Sequence, residues 1–124
     1  MTNRRGIGGG LSFVDTYQIS DTDAEYLDIS EGNTVIQFSP SGAETRKLQD
    51  ADTAGQFLTL STDSASDVVV TTDTTINQAG DNTLTFTDID DTIILQSCIV
   101  NTSNTPSTFK WRIVNNDGVA LSTV

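Results

Sequence analysis

Apolar and β-branched residues in this chain of 124 residues fall in short runs, and several runs alternate strictly between apolar and polar positions. In Thr83-Leu84-Thr85-Phe86-Thr87, Leu84 and Phe86 share one face and the threonines take the other. In Phe109-Lys110-Trp111-Arg112-Ile113, the pattern predicts Phe109, Trp111 and Ile113 inward, and Lys110 and Arg112 outward. Period-two alternation is what a half-buried antiparallel strand needs, because successive side chains leave a strand on opposite faces. Further candidate strands are Leu11–Val14, Tyr26–Ile29, Thr34–Phe38, Phe57–Leu60, Val68–Thr72, Thr92–Val100 and Val119–Leu121. Turn residues separate them: Glu31-Gly32-Asn33, Ser39-Pro40-Ser41-Gly42, Ala79-Gly80-Asp81-Asn82 and Asn115-Asn116-Asp117-Gly118. About seven to nine short strands at this spacing predict an all-β domain, an antiparallel β-sandwich or jelly-roll-like fold. Asp117-Gly118 reads as a hairpin turn, since glycine accepts positive φ without strain. Ala43–Gly55 has the best helical composition, but only Ala43, Leu48, Ala51 and Ala54 could form a stripe, so a long loop or a single helical turn is expected there. No internal repeat is visible.

Residues 1–12 stand apart from this pattern as an extended N-terminal arm. Gly6, Gly8, Gly9 and Gly10 surround Ile7, and so many glycines carry too much chain entropy for a strand or helix to form unaided. The expected organisation is the arm at 1–12 and one β-sandwich domain at 13–124. The glycines bear a superficial likeness to a phosphate loop, but such a loop follows a strand, opens a helix and usually carries a lysine. Here Gly10 leads into Leu11-Ser12-Phe13-Val14, a strand-like run. A docking arm is the better reading: Arg4 and Arg5 give it positive charge, and Arg4, Arg5, Gly6, Ile7, Gly8, Gly9, Gly10 and Leu11 are the candidate partner-binding residues.

Composition supports the strand bias and narrows the chemistry. Thr and Ser are abundant, and Thr suits a pleated surface. The formal net charge is −11, with 17 acidic and 6 basic residues. Direct binding of nucleic acid is not expected, because phosphates call for a dense field of Lys and Arg. One cysteine, Cys98, allows no internal disulfide and reads as a small buried hydrophobe in the run Ile93–Val100. Met1–Gly6 has no apolar h-region, so no secretory signal is expected, and no apolar stretch approaches the ~20 residues of a membrane helix.

The chain has no histidine, which removes Ser-His and Cys-His nucleophile pairs and imidazole metal ligands. A glycosidase needs only two carboxylates about 5–10 Å apart, but aromatic residues make up 6% of the chain, which counts against a sugar cleft. No enzymatic activity, no catalytic residue and no cofactor are expected. Asp21-Thr22-Asp23-Ala24-Glu25 resembles the start of a calcium loop, yet Tyr26 stands where glycine is needed and Gly32 where the bidentate Glu belongs. Asp88-Ile89-Asp90-Asp91 is a second acidic cluster. Both read as solvated turns, and no metal site is assigned. Asn101–Thr108, a polar stretch containing Pro106, reads as a loop tip.

Taken together, the Gly-rich arm, the Thr/Asn/Asp-rich strands and the lack of histidine and disulfides resemble small virion proteins of tailed bacteriophages. The likeness is greatest over Asn82–Gly118, where the Leu84/Phe86 strand, the Ile93-Ile94-Leu95 strand and the Lys110-Trp111-Arg112-Ile113 strand lead to Asp117-Gly118, as at the ends of phage decoration and fibre domains. It covers about a third of the chain and is compositional. The resemblance implies a capsid decoration, or cement, protein: a homotrimer made in the host cytoplasm, located on the capsid exterior, and bridging subunits of the major capsid protein by binding energy alone. The alternative is a tail or head fibre, or an adhesin domain, that binds a host surface receptor. That reading expects exposed aromatic rings, and only Tyr17 and Tyr26 qualify, since Trp111 reads as buried. A hydrolase built on an ion held by Asp clusters is a third class, which requires convergent carboxylates.

Overall fold

The computed structural model describes residues 16–20, 26–29, 32–101 and 108–124. The arm at 1–12, its boundary with the domain and the candidate strand Leu11–Val14 lie outside the described residues. The described residues contain no helix and form nine strands: β1 (Thr16–Ser20), β2 (Thr34–Phe38), β3 (Glu44–Leu48), β4 (Phe57–Thr62), β5 (Val68–Thr72), β6 (Thr83–Phe86), β7 (Thr92–Asn101), β8 (Thr108–Asp117) and β9 (Ala120–Ser122). Sheet one has the order β1-β2-β4-β7-β8 and sheet two the order β3-β5-β6-β9. The protein is an all-β sandwich, as the alternation predicts.

The inward positions of both sheets meet in a single core. Sheet one supplies Ile36, Phe38, Leu58, Leu60, Ile93, Leu95 and Trp111; sheet two supplies Leu48, Val68, Val70, Leu84 and Phe86. Phe38 and Phe86, both fully buried, meet edge to face across the core with ring centroids 5.3 Å apart. Trp111 is buried as its alternation predicts, with Phe109 and Ile113 packed beside it at the core's margin. Its indole Nε1 donates to Gln49 O at 2.9 Å, which satisfies the one polar atom of a large apolar ring.

The sheets are mixed rather than wholly antiparallel. β1 runs parallel to β2, β2 to β4 and β3 to β5, whereas β4–β7, β5–β6, β6–β9 and β7–β8 are antiparallel. From β2 to β5 the chain changes sheet at every step, so each strand re-enters its own sheet one turn later in the same direction. Residue 34 faces residue 58, and residue 44 faces residue 68, so both sheets advance by the same interval. The result is a flattened coil, followed by an antiparallel half from β6 onward. None of the paired positions on β2/β4 or β3/β5 carries the same residue twice. The coil therefore leaves no repeat in the sequence, because it requires only that the inward alternation recur.

Three local expectations are corrected. Ala43–Gly55 contains β3 instead of only a loop or helical turn. Its inward positions are Glu44, Arg46 and Leu48, so two of the three are charged and the apolar stripe is hidden. Arg46 Nη1 lies 4.0 Å from Glu44 Oε1, and its guanidinium sits 5.6 Å from the centroid of Phe38, so the charge is taken inside beside an anion and an aromatic face. Thr16–Ser20, absent from the candidate strands, is β1. The third correction is at Asp117-Gly118, which does not close a hairpin, because β8 belongs to sheet one and β9 to sheet two. The side-chain amide of Asn116 donates to Val119 O at 2.9 Å and accepts from Val119 N at 3.0 Å. It takes the place of a strand partner while the chain crosses the core.

Gly118 makes that crossing possible with φ of 93°, and a Cβ there would collide with Asp91 Oδ1. Gly118→Ala is expected to lower stability by about 2–3 kcal/mol, combining left-handed strain with the displaced carboxylate. Gly42→Ala, where added atoms meet open space, should change it by less than about 0.5 kcal/mol. Urea unfolding of both variants checks the contrast.

Candidate binding surfaces

The candidate contact residues Arg4, Arg5, Gly6, Ile7, Gly8, Gly9, Gly10 and Leu11 lie outside the described residues. The structure does show the element they lead toward. β1 ends sheet one and pairs with β2 through a continuous parallel register, Thr16 opposite Thr34 to Ser20 opposite Phe38. Among the described strands it has a neighbour on one side only. Such an edge presents backbone N–H and C=O groups to any further strand that aligns with it.

Of the two acidic clusters, Asp21–Glu25 lies outside the described residues, while Asp88–Asp91 is a tight turn between β6 and β7. Asp91 is buried, and its Oδ2 accepts from Thr87 N at 2.9 Å and Asp88 N at 3.0 Å. The turn docks on β4 through Asp90 N to Thr62 O at 3.0 Å and Thr62 N to Asp91 O at 3.2 Å. Asp90 adopts φ of 73°, a conformation that Asp tolerates better than most residues. The Asp91 carboxylate is thus occupied in closing the turn. Among the described residues, no group of three or more His, Cys, Asp or Glu side chains is placed to hold a metal ion.

A second internal device escapes sequence reading. Gln56 precedes β4 and is buried. Its Nε2 donates to Ile29 O and to Gly32 O, both at 2.6 Å, and its backbone N donates to Ser97 Oγ at 2.9 Å. Ser97 Oγ in turn donates to Thr53 O at 2.6 Å. One residue thereby joins the chain before β2, the start of β4 and the middle of β7. Only three-dimensional neighbours reveal this role, since Gln56 is simply one more polar residue in a turn.

The outer face of sheet two carries a groove of about 380 Å³ lined by Tyr26, Thr45, Arg46, Lys47, Thr71 and Asp73. Alternation builds it. Leu27 and Ile29 are buried, which turns Tyr26 outward. A parallel bridge between Tyr26 and Lys47, with Leu27 N donating to Lys47 O at 2.8 Å, fixes that segment beside β3. Thr45 and Lys47 point out of β3 because Glu44, Arg46 and Leu48 point in. The Lys47 ammonium lies 5.7 Å from the Tyr26 ring centroid, and the ring remains 54% exposed. Tyr26 is therefore an exposed ring, as expected. Phe57, at the start of β4, is a further one at 40% exposure and was not foreseen.

Asp91→Ala is expected to cost about 1–3 kcal/mol, because a buried carboxylate is lost and two backbone N–H groups of the turn lose their acceptor. Asp88→Ala, which removes an exposed side chain from the same turn, should stay within about 0.5 kcal/mol. Thermal unfolding of the two variants separates a turn-closing carboxylate from a merely acidic surface. Comparison with protein-family models and with curated proteins finds no match to this chain.

Proposed function

We propose that the protein is a decoration protein of a tailed-phage capsid, a homotrimer that attaches to the outer surface of the head and ties subunits of the major capsid protein together. The carrying observation is the position of β1: the outermost strand of sheet one is the first described element after the arm. An arm that precedes an edge strand in the chain can bind in two linked ways. Arg4 and Arg5 supply charge-assisted hydrogen bonds to acidic groups of the shell, and the edge itself accepts a further strand. Within the sandwich, by contrast, both arginines are engaged internally: Arg46 lies beside Glu44, and Arg112 donates to Thr75 O at 2.8 Å. In a chain of net charge −11, the arm is the better place for contact with an acidic partner.

The mechanism requires no reaction. A ligand that binds the assembled shell and not its separated subunits stabilises assembly by mass action, and a contact shared between neighbours adds its free energy to their separation. The internal use of Asp91 in a turn and of Gln56 and Ser97 in a buried joint fits a body built to be stiff. A fibre or adhesin domain is the second reading, and the exposed ring of Tyr26 favours it.

Adding the purified protein to shells that lack it should restore their resistance to heat and to low salt. Deleting Met1–Gly10 should weaken attachment by about tenfold or more, equivalent to at least about 1.4 kcal/mol, with the far-UV dichroism of the β-body unchanged. Full occupancy by the truncated chain would show that the arm is not the contact.

A further inference from the structure

The groove on sheet two has features that attachment to a shell does not use. Its volume of about 380 Å³ falls within the range of small-molecule sites, about 300–1,000 Å³. One wall is the Tyr26 ring, more than half exposed although its neighbours Leu27 and Ile29 anchor the segment in the core. With its backbone bridged to β3 and the Lys47 ammonium 5.7 Å from its centroid, the ring offers an apolar surface at a reduced entropy cost of ordering on binding. Around it stand a cation, Lys47, an anion, Asp73, and the side chains of Thr45 and Thr71. Lys47 donates only, an ionised Asp73 accepts only, and a threonine hydroxyl does both.

This set selects an uncharged ligand. Lys47 and Asp73 line the same groove, so an anion drawn to the one is repelled by the other. A cation would find Asp73 opposed by Lys47, while Arg46, also at the groove, lies beside Glu44. A molecule with one apolar face and a rim of hydroxyls that both donate and accept matches the ring, the donor-only lysine, the acceptor-only aspartate and the two threonines. We propose that the groove binds a neutral hexopyranose, one ring face against Tyr26 and its hydroxyls toward Lys47, Asp73 and the two threonines. Few aromatic residues count against a long sugar cleft, but one ring is enough for one sugar unit. None of the lining residues of the groove belongs to the arm.

The test is titration of the isotope-labelled full chain with methyl glycosides of glucose, galactose, mannose and N-acetylglucosamine, read by amide shifts, with a sialoside and glucosamine as charged comparisons. At least one neutral glycoside should give saturable shifts at Tyr26, Thr45, Lys47, Thr71 and Asp73, with a dissociation constant on the order of millimolar. Tyr26→Ala should weaken it by about tenfold or more, and Tyr26→Phe by less than about threefold. No saturable shift in the groove with any neutral glycoside would overturn the proposal. So would unchanged binding by Tyr26→Ala, an equal loss in Tyr26→Phe, or preference for a charged sugar. Particle attachment is read separately by occupancy on shells, so failure here leaves that reading standing.

Discussion

Phe38 is where the two halves of the sandwich are fastened. It closes β2, inside the parallel coil, yet its ring meets Phe86 of β6, the first strand of the antiparallel half, at 5.3 Å and near-perpendicular. Arg46 of β3 lies on the same ring at 5.6 Å. Three strands from two sheets therefore depend on one side chain. An edge-to-face pair is worth about 0.5–1.5 kcal/mol beyond its burial, and truncating a buried phenylalanine costs about 3–5 kcal/mol. The guanidinium explains how a charged residue occupies an inward position of β3: the ring face and the Glu44 carboxylate replace part of the water it gives up.

Polar side chains then do for the turns what Phe38 does for the core. Asn33 Oδ1 accepts from Phe57 N at 2.9 Å, and Thr74 Oγ1 donates to Asp50 Oδ1 at 2.7 Å, so each joins one turn of the coil to the next. Asn116 and Asp91 close the corners of the antiparallel half, and Gln56 joins the two halves through its backbone N–H to Ser97 Oγ. Abundant Asn, Asp, Ser and Thr therefore have a specific meaning here. A coil that changes sheet at every strand has many corners, and each must satisfy backbone groups that no ladder reaches. The acidic, hydroxyl-rich composition is partly the chemistry of corners and not only of a solvated surface.

Strand positions were legible wherever inward residues were apolar: β2 and β5 coincide with their runs, and Trp111 and its neighbours point as their alternation requires. β3 was not legible, because Glu44 and Arg46 occupy inward positions and nothing local distinguishes them from surface charges. Strand direction was hidden for a different reason. Alternation encodes which face a residue takes and is blind to whether the neighbouring strand runs up or down, so a parallel coil and an antiparallel meander read alike. The Asp117-Gly118 step shows the same limit, for positive φ marks a turn without saying which sheet receives the next strand. The groove was half legible: Tyr26 stood out as an exposed ring, but its union with Lys47 depends on a bridge to a strand that the sequence concealed.

The winding of the coil also sets a gradient of local stability. β4 is flanked in its sheet by β2 and β7, whereas β1 is held among the described strands by β2 alone. Detaching an outer turn breaks one ladder; detaching an inner one breaks two and opens the core around Phe38. The terminal turn can therefore separate and re-form at a fraction of the global unfolding free energy. The edge at β1 is therefore where ladder hydrogen bonds open at least cost, while β4 opens only together with both of its neighbours.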